Sequence, residues 1–258
     1  MRKITVLCAA FALATQAQAQ LWSHKTIRGN HREKTETRIV SDYEGISVAG
    51  GFEVHLFSGK EGTLTVKADE NVLPYIVTKI KNKILYLGLK RGYNFRNIKY
   101  LSANVPVEQI ESLRLTGSSD IDSDFTLKSP RMEIVLSGSG DMNLALNSDT
   151  TKARITGSGD MDIALNSDVT EAKITGSGEL KLSGQTRNVN YTLTGSGDIS
   201  ALEFKAITVR AEITGSGDIY LYCREKLEAR IAGSGDISYK GDPKIRVKIS
   251  GSGSISNY

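Results

Sequence analysis

Residues 138–159 read GSGDMNLALNSDTTKARITGSG, and the Gly-Ser-Gly that opens and closes this stretch recurs along the chain. The tripeptide occurs seven times between Gly138 and Gly253, and Gly117-Ser118-Ser119 is a slightly altered eighth copy. Successive copies begin 18 to 21 residues apart. Such a short, regular period indicates one structural unit stacked on itself.

Apolar residues flank every copy of the motif. The residue two positions before the first glycine and the residue four positions after it are apolar in all eight copies, as Ile155 and Met142 are here. The intervening residues alternate between apolar and polar, which is typical of half-buried strands. A unit of about 19 residues cannot bury such a face alone, whereas stacked coils can. The sequence therefore predicts an all-β fold, a parallel β-helix that is right-handed by the crossover rule.

Within each coil we expect a strand, a Gly-Ser-Gly corner, a second strand and a polar return such as residues 147–149. Along the chain, the pattern divides into a signal peptide (1–19), a flexible leader (20–38), an N-terminal β cap with degenerate coils (39–115) and the Gly-Ser-Gly repeat β-helix (116–258). The cap is expected because an uncovered strand edge is a template for pairing with other chains.

The first nineteen residues are typical of a secretory signal. Arg2 and Lys3 precede the apolar run 4–14, and Ala17-Gln18-Ala19 forms a small-residue cleavage site. No later segment is long and apolar enough to predict a transmembrane helix. We therefore expect an exported protein, in the periplasm or on the outer cell surface. The only cysteine of such a mature chain is Cys223, which we expect to be a buried free thiol.

The overall charge is nearly balanced, with 33 Lys and Arg against 29 Asp and Glu and a net of +4. This balance, together with export, argues against nucleic acid as a partner.

Three residues after the first glycine, seven of the eight copies carry an acidic residue. This acidic row consists of Asp120, Asp141, Asp160, Glu179, Asp198, Asp218 and Asp236. Stacked carboxylates repel one another unless something compensates their charge. The row is either a binding stripe, for a metal cation or another ligand, or a structural set in which each carboxylate accepts hydrogen bonds from its own corner. The sequence leaves both interpretations open.

A hydroxyl row precedes the same glycines, with Thr or Ser in seven of the eight copies, from Thr116 to Ser250. Such a row suits sugar hydroxyls, although Thr is also a favourable strand residue. A second candidate binding region is basic, with aromatic residues interleaved. It contains Lys79, Lys81, Lys83, Lys90, Arg91, Arg96 and Lys99. On an exported protein this cap cluster could bind an anionic polysaccharide or a lipid headgroup, or be a solvated strand face.

Catalysis has little support in the sequence. The three histidines, His24, His31 and His55, all precede the repeat, and coils of nearly equal length lack loops that would wall a pocket. A polysaccharide lyase that combines the acidic row with Arg154, Arg210 or Arg230 is the enzymatic alternative. We expect no cofactor. Because the sequence stops five residues after Gly253, end-to-end self-association through the C-terminal coil is a further expectation.

Residues 40–257 resemble a bacterial family of auto-transporter adhesin heads, the GIN domain. The resemblance rests on residues 43–48 (YEGISV), 51–54 (GFEV) and 66–73 (VKADENVL), and on the serial Gly-Ser-Gly-Asp turns. It implies a β-helix related in shape to pectin lyases and a role in cell-surface adhesion, and it transfers no catalytic residue. We therefore expect a non-enzymatic binding or adhesion module that presents one face to a glycan or a cell-surface protein. A lyase-like enzyme and a self-associating surface scaffold are the alternatives.

Overall fold

The computed structural model describes residues 25–258, which form nineteen β-strands and one short 3-10 turn. The N-terminal elements are β1 (Lys25–Arg28), β2 (Glu33–Ile39), β3 (Gly45–Gly50), β4 (Glu53–Ser58), β5 (Thr63–Asp69), the 3-10 turn (Leu73–Tyr75), β6 (Ile76–Lys81), β7 (Ile84–Leu89), β8 (Tyr93–Arg96), β9 (Leu101–Val107) and β10 (Ser112–Gly117). The repeat elements are β11 (Asp120–Gly138), β12 (Asp141–Gly157), β13 (Asp160–Gly176), β14 (Glu179–Gly195), β15 (Asp198–Gly215), β16 (Ile219–Gly233), β17 (Ile237–Lys240), β18 (Lys244–Gly251) and β19 (Ile255–Asn257). The predicted signal peptide lies outside the described residues.

The repeats stack in parallel, coil upon coil. In β12 and β13, for example, Asp141 pairs with Asp160 and Gly157 with Gly176, so equivalent residues of successive repeats lie directly above one another. The same parallel register continues from β10 to β18. The β-solenoid of about eight turns predicted from the 19-residue period is confirmed.

The apolar ladders fill the interior of the solenoid. Of the sixteen apolar positions that flank the corners, all are buried except Ile249 and Ile255 of the last coil. Side chains of adjacent coils are about 4.8 Å apart, so each ladder forms a continuous column of contacts along the rod. This stacking supplies the burial that a single repeat lacks.

Each Gly-Ser-Gly corner is fixed by contact with the corner below it. The first glycine has a φ of +101° to +141° in all eight copies, a region that residues with a Cβ rarely adopt. The backbone carbonyl of the preceding corner's glycine also lies where a Cβ would be, 2.3 Å away in the case of Gly195 and Gly176. The serine N–H donates to that same carbonyl, as from Ser139 to Gly117 at 2.9 Å. Close approach of two backbones therefore requires the repeated glycine.

The expected polar return is part of the ladder rather than a loop. In β12 the strand continues through residues 147–149, with Ser148 pointing inward. Its hydroxyl is hydrogen-bonded to that of buried Thr151, so two polar side chains satisfy each other inside the coil. Polar side chains can thus lie inside the coil while the backbone keeps its hydrogen bonds to the next coil.

The stacking order at the N-terminal end differs from the chain order. Strands β3 and β4 form one coil, and β10 and β11 lie on one side of it. Strands β7 and β9, which come later than β4 in the chain, lie in parallel on its other side. Antiparallel strands then cover this end, with β6 along β7 and β5 along β9.

The prediction of a flexible leader over residues 20–38 is wrong for residues 25–38. Strand β1 pairs with β8, and β2 pairs antiparallel with the whole of β5. The polar sequence of β2 shows no apolar period, and it is ordered because β5 supplies its hydrogen-bonding partner. Lys34, Glu36 and Arg38 lie opposite the buried residues Ala68, Val66 and Leu64 of β5 and place charges at this end of the rod, a common means of blocking edge pairing.

Candidate functional site

The acidic row forms a hydrogen-bonded chain along the rod. The Oδ1 atom of Asp160 accepts the backbone N–H of Glu179 in the next coil at 2.8 Å. Asp198 accepts the N–H of Asp218 in the same way at 2.9 Å. Equivalent bonds start at Asp120, Asp141, Asp218 and Asp236. Each of these carboxylates therefore satisfies a backbone donor of the following coil, not a donor of its own corner as the structural interpretation expected.

Glu179 is the exception, and it explains why Asp is the usual residue. Its longer side chain accepts the Ser200 hydroxyl, while the Asp198 N–H donates to the backbone carbonyl of Gly178 instead. The acidic row is thus largely engaged in structural bonds. Among residues 25–258, no group of three or more His, Cys, Asp and Glu side chains is placed to hold a metal ion.

A histidine joins the acidic region to the first coil. His55 Nδ1 lies 2.5 Å from Asp122 Oδ2, and its Nε2 lies 3.5 Å from Asp124 Oδ2. The hydrogen bond to Asp122 is the main cause of a raised His55 pKa, and the negative charge of both carboxylates adds to it. This group connects β4 to the beginning of β11, and sequence spacing alone gave no sign of it.

The structure does not gather the basic cap cluster into one site. Lys79 lies over the Tyr86 ring, Lys90 over Tyr75, and Lys99 over Tyr100, at 5.1 to 5.9 Å from the ring centroids. Arg91 and Arg96 are exposed near the end of β7 and on β8. Lys81 is exposed at the end of β6.

Lys83 stands apart from the other cap cations because it is ion-paired with Glu44, which raises its pKa. The cap cations are thus divided among three positions: the outer face of β6, the turn beside Glu44, and the β7–β9 connection. This distribution favours solvated side chains over one shared pocket.

A larger basic surface runs along the rod on the strands that precede the corners. Two outward rows cross β6, β7, β3, β10 to β16 and β18 in register, and a third row beside them crosses β11 to β16 and β18. Thirteen side chains in these rows are basic and four are acidic, which leaves a net charge of +9. We call this surface the basic sheet; its basic residues are Lys79, Lys81, Arg114, Arg131, Lys152, Arg154, Lys173, Arg210, Lys226, Arg230, Lys244, Arg246 and Lys248, and its acidic residues are Glu133, Glu171, Glu212 and Glu228.

The sequence carries a signal for this surface that the residues beside the corners do not reveal. Three residues before the first glycine, five of eight copies carry Lys or Arg: Arg114, Arg154, Lys173, Arg230 and Lys248. These residues form one outward row, which continues through Ser47 and Tyr86 to Lys79 in the cap. The repeat therefore predicts this basic row once every outward position of the coil is compared, and not only the positions beside the corner.

On the other side of the corner, the outward residues have the opposite charge. Two outward rows lie here: the acidic row, extended to Glu53 on β4, and a neighbouring row that crosses His55, Asp122, Asp162 and Lys181. Together the two rows carry ten carboxylates and one lysine. We call this surface the acidic sheet. The two sheets meet at the Gly-Ser-Gly corners, so the charge of the rod changes sign across a line of glycines.

Two open surface depressions lie at or beside the cap, and the second extends onto the basic sheet. One, of about 490 Å³, is lined by Lys83 and by the carboxylates of Asp42, Glu44, Glu61, Glu108 and Glu111. Partial burial raises the pKa of Glu61, and the charges of Asp42 and Glu108 add to this rise, while hydrogen bonds from the Glu108 and Gln109 N–H groups oppose it. A neighbouring depression of about 480 Å³ contains Arg131, Glu133 and Lys152. These depressions are open, and they combine acidic and basic groups.

The last coil exposes its ladder residues. Ile245, Val247 and Ile249 are each about 40% exposed, whereas their equivalents in earlier coils are covered by the next strand.

Within residues 25–258 no helix is long and apolar enough to cross a membrane.

The comparisons with known proteins agree with this fold. A family model described as "Putative auto-transporter adhesin, head GIN domain" matches residues 42–162 and 145–243, and the chain belongs to this family. The resemblance inferred from the sequence is confirmed. No curated protein matches the chain.

Solved structures share the same rod. One from Parabacteroides distasonis, described as a putative lipid binding protein, is 30% identical with a TM-score of 0.86, covering 91% of this chain and 100% of its own. A putative adhesin from Parabacteroides merdae is 23% identical with a TM-score of 0.87, covering 91% and 99%. A third, a putative adhesin from Bacteroides fragilis, is 22% identical with a TM-score of 0.70, covering 90% and 100%. The latter two likenesses concern the fold alone.

Proposed function

We propose that this protein is a non-enzymatic, exported binding module of adhesin type that presents a long face of its solenoid to a glycan on a cell surface. The observation that carries the proposal is the pair of flat outer sheets, on which outward side chains repeat in register from coil to coil. Regular ladders of this kind suit an extended ligand. A small substrate generally requires a concave pocket with converging polar groups.

The direct test is binding to an array of neutral and anionic glycans, with the purified chain from Gln20 onward. We expect retention of at least one glycan class and no change in the glycan's mass after incubation. Failure to bind any glycan would contradict the proposal. Mass spectrometry of the mature protein tests the proposed export and removal of the signal peptide. The expected result is an N-terminus at Gln20.

A lyase-like enzyme remains the second candidate because the depression beside Arg131 and Glu133 places acidic and basic side chains together. Incubation with a panel of acidic polysaccharides measures this activity through the appearance of shorter chains. Cleavage that is lost in Arg131→Ala would replace the binding proposal with the enzymatic one.

End-to-end association through the C-terminal coil is a separate proposal, supported by the exposed Ile245, Val247 and Ile249. Sedimentation velocity of wild type and Val247→Asp tests it. A concentration-dependent dimer that disappears in the variant supports the proposal, and monomers in both contradict it.

A further inference from the structure

We infer that the basic sheet is a binding surface for one linear, polyanionic polysaccharide chain, laid parallel to the rod axis. This inference rests on the proposed function and names its face and its ligand class. Eleven strands contribute to the sheet, and at about 4.8 Å per step they span roughly 48 Å. The three rows are about 6.6 Å apart, since outward residues alternate along each strand. The surface is therefore long and narrow.

A smaller share of the charged groups is partnered within the protein on the basic sheet than in the acidic row. Three of the thirteen cations form ion pairs with acidic residues of the sheet: Arg114 with Glu133, Lys152 with Glu171, and Lys226 with Glu228. The acidic row, by contrast, is bonded to backbone N–H groups along most of its length. The two sheets thus differ in how much of their charge is available to a ligand.

Several cations of the basic sheet are stacked directly on one another. Arg154 is in register with Lys173, and Arg230 with Lys248. Like charges opposite one another on adjacent strands destabilise a sheet. A bound polyanion would turn this repulsion into attraction, because anionic groups placed between the stacked cations interact favourably with both.

The chemistry beside the cations also fits a sugar chain. The hydroxyl row from Thr116 to Ser250 lies immediately next to the row of Arg154 and Lys173, on the same outward face. Guanidinium groups can bind carboxylate or sulfate with two parallel hydrogen bonds, and Thr and Ser can both donate to and accept from sugar hydroxyls. Carboxylated or sulfated polysaccharides combine these two kinds of group along one chain.

The shape of the surface favours a single chain over an anionic membrane. The acidic sheet begins directly across the glycine corners and would repel a broad anionic surface approaching this side of the rod. Outward apolar residues of the basic sheet are few, among them Ile84, Val135 and Val169, so little could be inserted between lipids. A narrow polymer can follow the positive rows without meeting the carboxylates.

The test compares two variants that lose the same charge. The sheet variant carries Arg154→Gln, Lys173→Gln, Arg230→Gln and Lys248→Gln, and the control carries Lys90→Gln, Arg91→Gln, Arg96→Gln and Lys99→Gln. Circular dichroism and thermal melting first establish that both are folded. Binding is then measured to polygalacturonate, dextran sulfate and neutral dextran, and to vesicles of phosphatidylglycerol with phosphatidylcholine.

We expect wild type to bind the two polyanions, and the affinity to fall as salt increases. The sheet variant should bind about tenfold more weakly, and the control within about twofold of wild type, since only the former removes contacts to the chain. Affinity for oligomers should rise with length until they span roughly 48 Å, the length of the sheet.

Other outcomes overturn the inference. Equal losses in the two variants would indicate a non-specific effect of net charge, and binding to vesicles but not to polyanions would indicate a membrane. Binding only to neutral glycans would reject the basic sheet while the proposed function stands. No binding to any glycan would reject both.

Discussion

The glycine that opens each corner meets two separate constraints. Its φ is positive, and the carbonyl of the equivalent glycine in the preceding coil occupies the position of a Cβ. Three glycines of the chain differ in which of these constraints apply to them, so their substitution distinguishes the two effects. Gly195 has both, Gly62 has a φ of +122° with open space around it, and Gly51 has neither.

Alanine substitution at these three positions should therefore give graded losses of stability. Gly62→Ala should cost about 1–2 kcal/mol, because only the left-handed conformation is strained. Gly195→Ala should cost more than about 3 kcal/mol, because the Cβ would also collide with a backbone that has no room to move. Gly51→Ala should stay within about 0.5 kcal/mol of wild type. Urea unfolding measures all three; equal costs for Gly195→Ala and Gly62→Ala would show that the contact between corners is unimportant.

Between elements, the link of β4 to β11 through His55 depends on pH. The folded-state pKa of His55 is raised, chiefly by its hydrogen bond with Asp122, so the protonated ring stabilises the folded chain. This stabilisation is complete below the unfolded value of about 6.5 and is lost as the pH rises through the folded-state pKa. Asp122 and Asp124 are the carboxylates that face the ring.

Proton NMR titration of the His55 ring should give a midpoint above about 6.5. Asp122→Asn should lower this midpoint more than Asp124→Asn does, because the Nδ1 contact is shorter by 1.0 Å (2.5 against 3.5 Å). An unchanged midpoint in both variants would mean that the ring is not held by these side chains in solution.

At this scale the sequence predicted the regular elements well and the irregular ones poorly. Within the repeat, local alternation and the 19-residue period agree, so the ladder of Ile155 and its equivalents could be read directly from the chain. In β2 there is no such agreement: Glu33–Ile39 is polar, and only its pairing with β5 makes it a strand. The inward hydroxyls of Ser148 and Thr151 were missed for a similar reason, since their hydrogen bond is visible only in three dimensions.

For the candidate site, spacing identified the carboxylates of the acidic row but not their partners. The carboxylates recur once per coil whether each one accepts a hydrogen bond from its own corner or from the next coil, so the spacing cannot distinguish the two cases. The structure shows that Asp198 accepts the N–H of Asp218 in the next coil. The basic sheet could have been predicted in part, because its row through Arg154 follows the repeat. Its extension to Lys79 could not, since β6 and β7 join the sheet out of chain order.

As a whole molecule, the rod has two adjacent long faces of opposite charge, with net charges of +9 and −9 in the rows described. A nearly neutral protein with such separation should attract copies of itself side by side at low salt, the basic sheet of one against the acidic sheet of another. Salt screens this attraction over a Debye length of about 10 Å at 0.1 M.

Static light scattering at 20 and 300 mM NaCl measures this effect. We expect the second virial coefficient to be lower at 20 mM salt, and the difference to shrink in the Arg154, Lys173, Arg230 and Lys248 to Gln variant. A coefficient that falls with added salt in wild type would contradict attraction between the faces.

The order in which strands stack at the N-terminal end constrains the order in which the chain can fold. Ile46 of β3 pairs with Leu113 of β10, 67 positions later, and with Leu85 of β7 on the other side. The first coil along the chain therefore lacks its neighbour on one side until β7 is in place, and on the other side until β10 is in place. Each later coil, in contrast, needs only the next 18 to 21 residues. Folding should thus have one slow step, completion of residues 45–117, followed by rapid addition of coils on a finished template.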